Sequence, residues 1–233
     1  MKKLLMYLAL ALVVILIGST SSWAIAIDFN MDAIHPGTAT IYYSGGSTSL
    51  IGSNISVDTV VNLGGVPLMR DLFGGTLNFA TGAFTGSDPG DWYFAPGGSI
   101  TVTGGVDLND NGVIDGGDIP LGTTLLTGSF TGAPRVIYLG GTAKIVGATF
   151  DDVKDQELAE FYGLNADGYG YGWSGGVNLS FSASGTPGST FSSTDVFSGD
   201  ITNQPNVPEP ASMALLGLGL VGLIGRVRKK FKA

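Results

Sequence analysis

From residue 27 the chain alternates apolar and polar positions in short runs, and Gly, Ser, Asp or Asn closes most of them. A period of two puts successive side chains on opposite faces of a strand. Such runs fall at 38–44 (TATIYYS), 54–63, 75–86, 98–105, 123–132, 135–141, 142–150, 176–184 and 190–197. Strands of this length, separated by glycine turns, predict an all-β protein, an antiparallel β-sandwich or barrel-like domain. TGAFTG at 81–86 and TGSFTG at 127–132 echo each other. Two copies of six residues do not establish a repeat array.

One stretch of the body departs from the period of two. TFDDVKDQELAEFYGL predicts a short helix over 151–162. Thr149 and Asp152 have the [ST]-x-x-[DE] spacing of a capping box, and acids in the first turn suit the helix dipole. Leu158, Phe161 and Tyr162 share one face, and Gly163 suits the position just past the end. The helix is expected to be a structural plug on the sheet. Residues 198–206 read as a linker.

The two ends have a different pattern. Met-Lys-Lys precedes a 14-residue apolar run, Leu4 to Ile17, and then small residues. That order is a secretory signal peptide, expected over 1–24, with cleavage after Ala24 preferred to Ala26. The body then spans 25–197. Near the other end Pro208, Glu209 and Pro210 precede 15 nearly continuous apolar residues, Ala211 to Gly225. Arg226, Arg228, Lys229, Lys230 and Lys232 follow. The apolar run predicts a C-terminal transmembrane helix. As a helix it is about 22 Å long, short of the ~30 Å hydrocarbon core. Basic residues beyond a span stay cytoplasmic, so the body is expected outside.

The three-part order of residues 207–233 resembles the PEP-CTERM sorting signal of Gram-negative bacteria. Val207, Pro208, Glu209 and Pro210 match that motif position by position. The resemblance implies an exosortase-type processing enzyme as partner, transient anchoring in the membrane, removal of the tail, and delivery to the cell surface or extracellular matrix. The same tail is also labelled an ice-binding-protein C-terminal domain. TAT at 38–40 and TVT at 101–103 are too few for an ordered threonine array.

Composition narrows the body further. Gly occurs 38 times, about 16% against a usual ~7%. Residues 25–207 hold four bases, Arg70, Arg135, Lys144 and Lys154, against eighteen acids, a net −14. Phosphates would be repelled, which excludes nucleic acid. Cations would be attracted. The chain has no cysteine, so packing or metal ions must supply what disulfides give many exported domains.

Several motif matches fail on context. GYGWSG (170–175) and GLGLVG (217–222) satisfy G-x-G-x-x-G, but neither follows a strand and opens a βαβ helix. GWSGG (172–176) satisfies G-x-S-x-G around Ser174. The single histidine, His35, precedes it, against the order of the hydrolase fold. One histidine and no cysteine exclude a zinc site of the usual kind. No enzyme is expected; the lesser alternative, a secreted glycan-acting enzyme, would need two carboxylates facing one cleft ~5–10 Å apart, and eighteen acids nominate no pair.

DLNDNGVIDGGD (107–118) has calcium-loop spacing. Asp107, Asn109, Asn111, the carbonyl of Val113, Asp115 and Asp118 occupy ligand positions, and Gly112 occupies the sharp turn. The loop resembles those of EF-hands and, with Asp rather than Glu at its end, dockerins. The flanking strand and Pro120 depart from both, and there is a single copy. The resemblance implies one calcium ion and nothing more. Ile114 is expected to pack inward.

The expected role is therefore structural or adhesive. A second expectation is an exopolysaccharide-binding module using Trp92, Tyr169, Tyr171 and Trp173. Rings among Gly and Asp can stack on sugars, although such rings more often close the ends of a core.

Overall fold

The computed structural model describes residues 26–31, 39–64 and 66–206. Its strands are β1 (Ile27–Met31), β2 (Thr40–Tyr43), β3 (Ser49–Ser56), β4 (Thr59–Asn62), β5 (Leu68–Asp88), β6 (Asp91–Phe94), β7 (Gly97–Val106), β8 (Ile119–Phe130), β9 (Arg135–Tyr138), β10 (Thr142–Lys154), β11 (Trp173–Ser182), β12 (Phe191–Ser193) and β13 (Val196–Pro205). One helix, α1 (Gln156–Phe161), sits between β10 and β11. The fold is mostly antiparallel sheet.

Hydrogen-bonded pairing runs β5–β4–β1–β13–β11–β10–β8–β7 and returns to β5. The circuit is closed, so of the two expected architectures the barrel-like one is present. The 21-residue strand β5 makes closure possible. Its first turn of pairing meets β4, with Leu68 opposite Asn62, and its middle meets β7, with Leu72 opposite Val106. Its second half carries β3, and through it β2 and β12. β6 and β9 bridge the far ends of β5 and β10.

Alternation fills the interior. Ile27, Phe29 and Met31 of β1, Leu77 and Phe79 of β5, and Val177, Leu179 and Phe181 of β11 are all buried. Glycines admit the larger rings. A Cβ on Gly175 would lie 2.5 Å from both the Phe150 ring and Asn203 Oδ1. Under the outer strands, Tyr43, Phe94, Trp92, Phe181 and Phe191 form an aromatic cluster with centroids 5.0–6.3 Å apart.

Two expectations about elements need correction. The helix begins later than its local signals suggest. Thr149 and Asp152 are strand residues, and the cap is Asp155, whose Oδ1 accepts from the Leu158 N–H at 3.0 Å. Pairing of Asp152 with Trp173 and with Gly128 on either side outweighs the capping pattern. Residues 198–206 are not a linker, because Val196–Pro205 is β13, held between β1 and β11. The predicted membrane helix lies outside the described residues, among which no helix is long and apolar enough to cross a membrane.

The helix does plug the barrel. Leu158 and Ala159 are buried, Tyr162 Oη donates to the Val60 carbonyl of β4 at 3.1 Å, and the Asp155 N–H donates to the Leu125 carbonyl of β8 at 3.0 Å. Leu158→Ala should cost about 2–5 kcal/mol, the range for a buried leucine. At a few degrees per kcal/mol for a body of this size, thermal unfolding should occur roughly 5–15 °C lower. An unchanged melting temperature would remove α1 from the core.

Candidate functional site

In an antiparallel barrel, alternate connections gather at one rim. Here that rim collects the β4–β5 turn, the acidic β7–β8 loop, α1 with the glycine-rich stretch leading into β11, and both described ends of the body. Ala26 accepts from the Leu63 N–H at 2.8 Å, and Asn206 follows β13. Arg70 ties the rim together. Its Nε donates to the Leu108 carbonyl at 2.9 Å, its guanidinium lies 5.4 Å from the Phe161 ring centroid, and Asp110 is 3.9 Å away. Sequence reasoning missed this role. The available signal was that Arg70 is one of only four bases in an acidic body.

The acidic loop is closed by its own amides. The Asp107 carboxylate, 2% exposed, accepts from the backbone N–H of Asn111 at 3.2 Å and of Gly112 at 2.6 Å. Asp118, also buried, accepts from the N–H of Leu108 and of Asp115, both at 2.9 Å. Asp115 accepts from Gly117 N–H at 3.1 Å and Asn111 Nδ2 at 2.9 Å. The Gly117 amide, then Asn111, holds the Asp115 carboxyl below its ordinary value. Asn111 Oδ1 receives the Val113 N–H at 3.0 Å, and Gly112 has φ +85° at the turn. So Asp107, Asn111, Asp115 and Asp118 are drawn into one network with the Val113 backbone. Asn109 stands exposed beside it. Among the described residues, no group of three or more His, Cys, Asp or Glu is arranged to hold a metal ion. Ile114 is only half-buried. Ile119 is the buried anchor where the loop re-enters the sheet.

The four candidate sugar-stacking rings are not together. Trp92 is fully buried, with Nε1 donating to the Ser189 carbonyl at 2.9 Å. Trp173 is also fully buried, with Nε1 donating to the Asn165 carbonyl at 3.1 Å. Both are core residues, because a strand position with period two turns them inward. Tyr169 and Tyr171 are exposed, 48% and 58%. Tyr169 has φ +61° and donates from Oη to the Gly163 carbonyl at 3.1 Å.

Beneath this loop lies a buried ion pair, Asp152–Lys154, with both side chains fully enclosed. Lys154 Nζ is 4.6 Å from the Trp173 ring centroid. Burial pulls the Lys154 ammonium down to about 8, against the attraction of Asp152, and burial pushes Asp152 up. Asp152 Oδ1 and Asn203 Oδ1 are buried without hydrogen-bond partners. No sequence signal marked the pair, since both residues occupy ordinary alternation positions.

Asn206 is fastened to the tyrosine loop. Its N–H donates to the Gly172 carbonyl at 2.9 Å, and its Oδ1 accepts from Ser174 Oγ at 2.7 Å. Ser174 is thus bonded to an amide, and His35 lies outside the described residues.

The tail begins at this point. Residues 206–229 match the family model of the PEP-CTERM protein-sorting motif. The match covers Val207, Pro208, Glu209 and Pro210, which lie outside the described residues. It supports an exported protein of Gram-negative type that crosses the membrane and is processed by an exosortase. It lends nothing to the ice-binding label or to the calcium loop. No curated protein and no solved structure matches the chain.

The buried pair has a signature in pH. The unfolded chain keeps the Lys154 proton to about 10.5, whereas the folded chain releases it near 8, so stability from this group rises as pH increases between them. Buried Tyr162, raised above 10.0, opposes it only at higher pH. Urea unfolding should show wild type gaining stability from about pH 8 to about 9.5. Asp152→Asn/Lys154→Met should show no such gain, and a parallel slope in that variant would refute the assignment.

Proposed function

We propose that this chain is an exported cell-surface or extracellular-matrix protein with a structural or adhesive role, whose barrel body is delivered by its C-terminal sorting tail and carries one calcium-binding loop. The observation that carries the delivery half is the match over 206–229, which runs into the basic cluster at 226–232. The chemistry is coherent. Pro208 and Pro210 disfavour helix before the apolar run, which leaves an extended strand for a processing enzyme to grip.

The calcium half rests on the acidic loop. Asp107, Asp115 and Asp118 each accept from N–H donors of the loop itself, and the N–H dipoles around buried Asp107 and Asp118 supply partial neutralisation. A hard cation accepting 6–8 oxygens would complete that neutralisation through the oxygens of Asp107, Asn109, Asn111, Asp115 and Asp118 and the Val113 carbonyl. The electrostatics favours cation binding for a body this acidic.

Two experiments test the reading. Surface material analysed by intact mass should lack residues 211–233, and replacement of Pro208, Glu209 and Pro210 by alanine should retain the basic tail. Wild type that keeps the tail in exosortase-containing cells would reduce residues 207–233 to a plain anchor. For the loop, the melting temperature should rise with added calcium and fall with chelator, by an amount equivalent to about 2.7 kcal/mol at a hundredfold excess over Kd. Asp107→Ala and the gentler Asp115→Asn should lose that response. An identical response in wild type and both variants, or none in any, would leave an acidic turn.

A further inference from the structure

The rim from which the tail departs is also where the body leaves apolar side chains uncovered. In the β4–β5 turn and the strand ends beside it, Leu63, Val66, Leu68 and Met69 are exposed, Val66 by 88% and Met69 by 55%. Tyr169 and Tyr171 stand on the same rim, on the loop fastened to Asn206. Of the other exposed large apolar side chains among the described residues, only Leu139 and Phe197 lie at the opposite end, in the β9–β10 turn and at the start of β13. Register makes this placement firm: Asn62 lies opposite Ile27, Ile27 opposite Asn203, and Asn203 opposite Gly175, just inside the rim.

We propose that this apolar rim seats on the lipid surface while the chain is still tethered by its tail. Covalent reach supplies the argument for lipid as the occupant. Only Val207 to Pro210 separate Asn206 from the apolar run at Ala211, a span of at most about 17 Å when fully extended. The headgroup layer on each face of a bilayer takes up about 5–8 Å of that. The exit point of the chain at this rim is therefore held within roughly 9–12 Å of the membrane surface whenever the run is inserted. Tyrosine, with an apolar body and a polar tip, suits that boundary. Isolated exposed leucines need no explanation, but several gathered at the tethering end do. Exposed Asp110, Asp115 and Asp167 on the same rim make a zwitterionic surface the better fit than an anionic one. Seating the body this way presents Pro208–Glu209–Pro210 at the membrane face, where a membrane-embedded processing enzyme can reach them.

The proposal rests on the tail being a membrane segment, and its test separates the two. The chain has no cysteine, so single-cysteine variants can carry a nitroxide without background. Full-length Val66→Cys, Tyr171→Cys and Leu139→Cys would be reconstituted into phosphatidylcholine vesicles, and flotation would confirm insertion. The ratio of oxygen to nickel-chelate collision should be several-fold higher at 66 and at 171 than at 139. Equal, water-like ratios at all three sites in chains that float would overturn the rim contact alone. Protection at 66 and 171 that appears only when exosortase shares the vesicles would also overturn it and assign the rim to a protein partner. Chains that fail to float would overturn the tail reading, and the rim contact with it.

Discussion

Everything else in this body depends on β5 returning to β7. With Leu72 opposite Val106 and Ile100 opposite Phe79, that ladder closes a circuit of strands that would otherwise end in two bare edges. Bare edges invite pairing with other chains. A chain with no cysteine cannot staple an open sheet, and at 38 glycines it has little side-chain area per residue to spend on a core. Closure solves both problems, since it satisfies the backbone donors and acceptors of the ring and encloses an interior whose filling is set by alternation alone.

That interior is not wholly apolar, and one group of exceptions sits near the rim. Asp152, Lys154 and Asn203 face inward near the rim, next to Trp173 and below α1. A buried ion pair of this kind is weak evidence for stability, because desolvation consumes most of the Coulomb gain, whereas breaking one partner away is costly. The pair's own Asp152 Oδ1 and the Asn203 Oδ1 are left without partners, each at a desolvation cost of about 1–3 kcal/mol. The stretch that follows α1 brings backbone carbonyls over this end. The Lys154 N–H reaches the Ala166 carbonyl, and Trp173 Nε1 reaches that of Asn165. The plug and the polar end are thus one arrangement.

The fold class was legible because period two is a direct consequence of the pleat. Strand lengths and closure were not. β13 was hidden because its inward residues include Asn203 and Pro205, so DITNQP reads as polar linker until its neighbours on both sides are known. The start of α1 was misplaced for the converse reason. Thr149 and Asp152 carry a valid local capping pattern, but non-local pairing across β8 and β11 extends the strand to Lys154. At the candidate site, the acidic loop could be read from spacing because ligand spacing is local. The tryptophans could not be assigned to core or surface, since an aromatic next to glycine looks the same in either place. The gathering of apolar side chains at one rim is a property of register and was invisible along the chain.

The same rim reconciles the fold with its processing. Ala26 and Asn206, the two described ends, sit on adjacent strands β1 and β13, with Ile27 opposite Asn203. Whatever chain precedes Ala26 and follows Asn206 therefore joins the body at one edge of one rim. Neither junction interrupts the closed circuit, because β1 begins at Ile27 and β13 ends at Pro205. A barrel whose termini emerged at opposite ends would have to lie across the membrane or stand away from it while both segments were attached. With the ends together, the proposed seat on lipid needs only a single rim, and the aromatic cluster beneath the outer strands lies at the opposite end of the body.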